Sequence, residues 1–146
     1  MADFHVKVGD AVTVTKTIGE SDVYLFAGIT GDLAPNHVNQ SYMERSSYGR
    51  RMAHGALLVG FISTASSKAI EHARADGRET PVAVGFDRVR FIKPVFLGDT
   101  ITVTYTFSSI ELERRRSYAK VEITNQDDTL VVVADHILQW VPNSSD

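Results

Sequence analysis

An aspartate and a histidine stand five residues apart in Phe26-Ala27-Gly28-Ile29-Thr30-Gly31-Asp32-Leu33-Ala34-Pro35-Asn36-His37, with Gly31 before them and Pro35 between them. On a regular helix, two side chains share a face only when three or four residues separate them. Proline removes a backbone donor from a helix interior and pushes the residue before it out of helical geometry. Asp32 and His37 therefore converge only if the chain turns tightly between them. A carboxylate and an imidazole held on such a turn can together activate a water molecule.

The elements that would carry this turn are legible on either side of it. Ala11-Val12-Thr13-Val14-Thr15 alternates like a half-buried strand after a Gly9-Asp10 turn. Ser21-Asp22 offers an N-cap for a short helix over Val23-Tyr24-Leu25-Phe26-Ala27, which delivers the Gly31-Asp32 loop. Asn39 to Ser46 suits another helical turn. From His54 to Ser67 there is no formally charged side chain, and Leu57, Leu58, Phe61, Ile62 and Ala65 recur at helical spacing. Such a helix is expected to be buried on most sides. Lys68, Glu71, His72 and Arg74 mark its emergence into water, and Ala75-Asp76-Gly77-Arg78 reads as the exit loop.

Beyond Thr80 the pattern is all strand. Val82, Val84 and Phe86 share one phase and Val89 and Phe91 the other, which predicts a β-bulge near Asp87-Arg88. Ile101 to Phe107 alternates cleanly, as do Ala119, Val121 and Ile123 with their polar neighbours. Asp127-Asp128 makes a turn, Leu130 to Val141 a last strand, and Asn143 to Asp146 a frayed tail. Short connections favour an antiparallel sheet, and one uncharged helix is most economically packed by wrapping that sheet around it. The expected class is α+β, a curved antiparallel sheet around a long buried helix, in one domain over residues 1–146.

Composition narrows the function classes. A net charge of −3 argues against a nucleic-acid binder. The absence of cysteine removes disulfides, thiolate metal sites and a cysteine nucleophile, and fits a reducing, cytoplasmic setting. The five histidines show no close ligand pairing of the H-x-x-x-H kind, so no metal is expected. No segment has the run of apolar residues that a membrane span requires.

Gly31-Asp32-Leu33-Ala34-Pro35-Asn36-His37, then Ala53-His54-Gly55-Ala56-Leu57-Leu58, then Phe91-Ile92-Lys93-Pro94-Val95-Phe96-Leu97-Gly98-Asp99, resembles the MaoC-like or R-specific enoyl-CoA hydratase (hydratase 2) family of the hot-dog fold. The resemblance runs from about Val8 to about Val141. It implies hydration of a trans-2-enoyl-CoA, or the reverse dehydration of a 3-hydroxyacyl-CoA. Asp32 would be the base, His37 its partner in handling the water, and the Gly55 amide the donor that polarises the thioester carbonyl. A helix start suits that last role, because its unpaired amides and dipole favour developing negative charge. No metal or organic cofactor is implied; coenzyme A enters as part of the substrate. A homodimer is implied, joined edge to edge and open to higher assembly.

Ser63 aligns with a serine near the family's catalytic pair and reads equally as a helix-packing residue. Arg50 and Arg51 lie near the expected entrance, where they would meet phosphate or substrate. Arg114-Arg115-Arg116 reads as a solvated hairpin turn, and His54 as a residue orienting the helix start. The family's usual asparagine is replaced by Ala34, which offers no side-chain hydrogen bond; Asn36 and Asn39 are the nearby candidates to compensate. Hot-dog thioesterases and non-catalytic acyl-CoA-binding subunits are the alternatives. The Pro35 and His37 pattern argues against the first, and Ala34 is the best support for the second.

Overall fold

The structure, a computed structural model, describes residues 4–75 and 77–144. Asp76 of the expected exit loop and Ser145-Asp146 of the expected tail lie outside the described residues. In chain order the elements are β1 (Ala11–Thr17), α1 (Glu20–Thr30), α2 (Pro35–Val38), α3 (Gln40–Glu44), α4 (Gly55–Ala69), α5 (Glu71–Arg74), β2 (Glu79–Phe91), β3 (Thr100–Glu111), β4 (Arg116–Thr124) and β5 (Leu130–Pro142). The five strands form one sheet in the order β1-β3-β4-β5-β2, with every pairing antiparallel.

The alternation read from β3 and β4 sets which face is inside. Ile101, Val103, Tyr105 and Phe107 on β3, and Ala119, Val121 and Ile123 on β4, are buried toward α4. Leu58, Ile62 and Ala65 of the helix meet them in the same apolar core. Trp140 of β5 is fully buried, and its indole N–H is satisfied by Ser117 Oγ at 2.9 Å. The expected bulge is present: the β2–β5 register slips between Asp87 and Arg90, and Arg88 takes a left-handed φ of 50°. A second slip falls between Ala83 and Gly85. Two irregularities in one strand add local bend and twist at that end of the sheet.

Two expectations are corrected. The N-cap of α1 is Gly19, and Asp22 acts from the third helical position, its carboxylate accepting the Gly19 N–H at 2.8 Å. The helix α4 is not buried on most sides. It packs on β1 and β3, and Ala56, Gly60, Ser63 and Thr64 are exposed. A single five-stranded sheet reaches only one side of a helix, so the far face of α4, uncharged as far as Thr64, is left bare within one chain. The edge strand β2 is bare as well, with Val82, Val84, Phe86 and Phe91 largely open.

The Pro94 to Asp99 segment positions the start of α4. The Val95 carbonyl accepts the Ala53 N–H at 2.8 Å, and Met52 bridges to Phe96. Asp99 is buried and closes the turn by accepting the Phe96 N–H at 2.9 Å and the Gln126 amide at 2.9 Å. Gly98 completes it at a φ of 95°, a conformation that glycine adopts without penalty.

Candidate active site

The loop that carries Asp32 begins where α1 must stop. Gly31 takes a left-handed φ of 79° as the helix C-cap, and its N–H bonds back to the Ala27 carbonyl at 2.8 Å. Asp32 then folds into a local turn in which its Oδ1 accepts the Ala34 N–H at 3.3 Å. Ala34 thus contributes through its backbone rather than a side chain. It is extended, as the residue before a proline should be, and Pro35 opens the single turn α2 that carries His37.

This path brings the pair together. One ligand-type atom from each of Asp32, His37 and His54 lies within 4.8 Å of the others. Asp32 is exposed and both histidines are buried. His37 Nδ1 lies 2.7 Å from the Met52 carbonyl, which can only accept, so Nδ1 carries the proton and donates. In the neutral ring, Nε2 is then left as an acceptor. His54 is bound the opposite way round, with Nε2–H donating to the Asp32 carbonyl at 3.0 Å. The two imidazoles stack at 3.7 Å with 25° between their planes. Stacked rings hold their lone pairs in two nearly parallel planes separated by the stacking distance, a poor arrangement for sharing one tetrahedral metal ion.

His37 faces a groove of about 450 Å³, lined among others by Asn36, Tyr48, Met52, Gly55, Phe91 and Lys93. Gly55 is the first residue of α4, so its N–H has no acceptor within the helix. The groove therefore combines an imidazole acceptor and a helix-start amide that has no acceptor within its helix, while Asp32 is not part of the lining and lies beside His37 and His54. Such a site can hold a water against one end of a conjugated carbonyl compound while stabilising charge at the other.

The remaining candidates separate. Ser63 sits on the exposed face of α4, two turns beyond Gly55 and away from the groove lining. Arg50 lies with its guanidinium carbon 4.0 Å above the Phe96 ring, near the groove. Arg51 instead pairs with Glu20 and donates to the Tyr24 hydroxyl at 2.8 Å. That pairing holds its charge all the more firmly, chiefly through the Glu20 hydrogen bond. In the hairpin, Arg115 pairs with Glu79 and Arg116 donates to Gln139 Oε1 at 2.9 Å, while the Arg114 guanidinium makes an exposed contact with Glu111. Asn39 caps α3 by accepting the Tyr42 N–H at 3.0 Å, and Asn36 is the asparagine that reaches the groove. Phe91 and Lys93 fall within the Phe91 to Asp99 segment that carries the family resemblance, which assigns neither a role in the site, and Tyr48 has no signal in the sequence.

Comparison with known proteins places the chain in a family. The sequence profile of the MaoC like domain spans residues 3–130. An (R)-specific enoyl-CoA hydratase of Rhodospirillum rubrum is 39% identical over 111 residues, covering 75% of this chain and 72% of that protein. A 3-hydroxybutyryl-CoA dehydratase of Methylorubrum extorquens is 33% identical over 142 residues, covering 97% of this chain and 84% of that protein. An unliganded R-hydratase from Pseudomonas aeruginosa superposes with a TM-score of 0.79 at 26% identity, over 94% of this chain and 84% of that one.

Proposed function

Since the chain belongs to the MaoC-like dehydratase family, with its hot-dog fold, we propose that it is a hydro-lyase that adds water across a trans-2-enoyl-CoA to give the (R)-3-hydroxyacyl-CoA, or reverses that step. The observation that carries this reading is the convergence of Asp32 and His37 beside the groove that the Gly55 amide lines. The named relatives act on the same class of thioester.

A water between the Asp32 carboxylate and His37 Nε2 donates one hydrogen to each. Its oxygen bonds to C3 of the enoyl group, and the electrons of the double bond move onto the thioester oxygen. The Gly55 N–H stabilises that oxygen, assisted by the helix dipole. The proton released from water passes to the carboxylate, and the pair returns a proton to C2, so none is gained or lost overall. The carboxylate, imidazole and amide supply every polar function, and the mechanism needs no metal or organic cofactor. Lys93 on the groove wall and Arg50, stacked on Phe96, suit the phosphates of coenzyme A.

A second copy joined along β2 completes the proposal. The bare apolar residues of that edge and the uncharged outer face of α4 support it. No helix among the described residues is long and apolar enough to cross a membrane.

The test is a panel of trans-2-enoyl-CoA thioesters followed by loss of enoyl absorbance, with free thiol measured in parallel. Loss of absorbance without thiol release is the expected result. Thiol release without loss of the enoyl group would turn the reading to a thioesterase.

A further inference from the structure

His54 is fully buried, yet only one of its two ring nitrogens is satisfied. Nε2–H donates to the Asp32 carbonyl at 3.0 Å, whereas Nδ1 is buried without a partner. The ring packs between Phe26, at 4.7 Å, and His37, at 3.7 Å. The residue is also the N-cap of α4, immediately before Gly55, but its side chain makes no capping hydrogen bond.

If this position served only packing or capping, a histidine would be a poor choice. An orphaned buried nitrogen is unfavourable, and a phenyl ring fills a similar volume between the same two aromatic faces without it. Asp32 is an exposed residue, so burial alone does not hold its segment in place. What the imidazole alone provides is a rigid N–H that fixes the Asp32 backbone relative to the ring plane on which His37 lies. From one residue it sets the position of the carboxylate loop, the face of His37 and the start of the helix that presents Gly55.

We infer that His54 is a positioning residue for the hydration reaction, one that holds the Asp32 loop and the His37 ring in register with the Gly55 amide without touching substrate. This rests on the reading of Asp32 and His37 as the reacting pair. Its effect falls on alignment at the reacting atoms and therefore on kcat. Substrate capture along the groove is left nearly unchanged.

The experiment compares His54→Phe, His54→Gln and wild type. The phenyl variant keeps the packing and loses the donor; the glutamine variant restores an N–H of comparable reach without the stacked ring. His54→Phe is expected to fold with a Tm no lower than wild type and to lose about tenfold to a hundredfold in kcat, with KM within about twofold of wild type. His54→Gln is expected to recover part of the kcat. A His54→Phe kcat within about twofold of wild type, a loss expressed in KM, or failure of that variant to fold would each overturn the inference. So would a glutamine variant no faster than the phenyl one.

A measurement on the wild-type protein separates this inference from the assigned reaction. Nitrogen-15 NMR of the histidine rings at pH 8 should show His54 as the Nε2–H tautomer and His37 as the Nδ1–H tautomer. A proton on His54 Nδ1 overturns the positioning role whatever reaction the protein performs. If those tautomers are found but no enoyl thioester is hydrated, the functional reading is what fails.

Discussion

The ring of Phe91 lies where a β-carbon on Gly55 would have to sit, with three ring carbons 2.8–2.9 Å from that point. A side chain at the head of α4 would therefore have to displace that ring. Phe91 is 56% exposed and lines the groove, so its ring can swing aside at little energetic expense. Because the ring is part of the groove wall, displacing it alters the surface that a bound acyl group would meet.

Gly55→Ala should consequently fold, with stability lowered by about 1 kcal/mol or less, while kcat/KM falls about tenfold to a hundredfold. The backbone N–H survives this substitution. The double variant Gly55→Ala/Phe91→Ala should recover most of the lost activity, because the displaced ring is gone and the donor remains. Steady-state kinetics on the two variants and on Phe91→Ala decide this. A double variant no faster than Gly55→Ala would mean that the methyl group itself blocks the amide.

Asp32→Asn keeps the Oδ1 acceptor for the Ala34 N–H, and His37→Gln keeps a donor near the Met52 carbonyl. Both should leave the thermal midpoint close to wild type, and both should lose about a hundredfold to ten-thousandfold in hydration rate. Turnover of a short enoyl-CoA panel, with thermal unfolding as the control, measures the two effects separately. Undiminished activity in Asp32→Asn would remove the carboxylate from the mechanism.

The parts of this arrangement visible in the sequence are those set by local chemistry. Pro35 forces Ala34 out of helical geometry, Gly31 stops α1, and the phase slip in β2 predicts its bulge, because each depends on one or two neighbouring residues. The alternation of β3 identifies its buried face for the same reason. What the sequence hides depends on distant packing. Arg50 and Arg51 are adjacent and identical, yet one lies on Phe96 and the other is held by Glu20 and Tyr24. The bare face of α4 has no signature in the sequence, because an uncharged helical stretch looks the same whether its own chain or a second copy covers it. His54 read as a residue orienting the helix start, but its bond to the Asp32 carbonyl links residues 22 positions apart and has no periodic signature.

The different fates of the two arginines separate binding from stability. Arg50→Ala and Lys93→Ala should raise KM for an enoyl-CoA by about twofold to fivefold, the range for a solvent-exposed ion pair. Neither should change KM for the same acyl group on a truncated thioester that lacks the coenzyme A phosphates. Arg51→Ala should instead lower the thermal midpoint, because it removes the links to Glu20 and Tyr24, with KM for the two thioesters altered equally. Parallel kinetics on full and truncated thioesters test this assignment. An Arg51→Ala effect confined to the full-length thioester would return that residue to the binding surface.

His136 makes stability depend on pH from the opposite end of the core. Burial pushes its imidazole down to about 4, its Nδ1 lies 2.8 Å from the Tyr105 hydroxyl, and its Nε2 is buried without a partner. The Tyr105 phenol is pushed up to about 12 by the same burial, an effect partly opposed by a Ser66 hydrogen bond. It therefore stays neutral and does not compensate a charge on the imidazole. An unfolded histidine takes up its proton near pH 6.5. Between there and pH 4 the unfolded chain binds a proton that the folded chain refuses, so this contribution is complete above pH 6.5 and is lost as pH falls. It amounts to at most roughly 3 kcal/mol. Urea unfolding at intervals between pH 7 and pH 4 should show that decline in wild type and a shallower one in His136→Gln, whose neutral side chain can still accept from Tyr105. Equal slopes in the two proteins would show that His136 titrates alike in the folded and unfolded states.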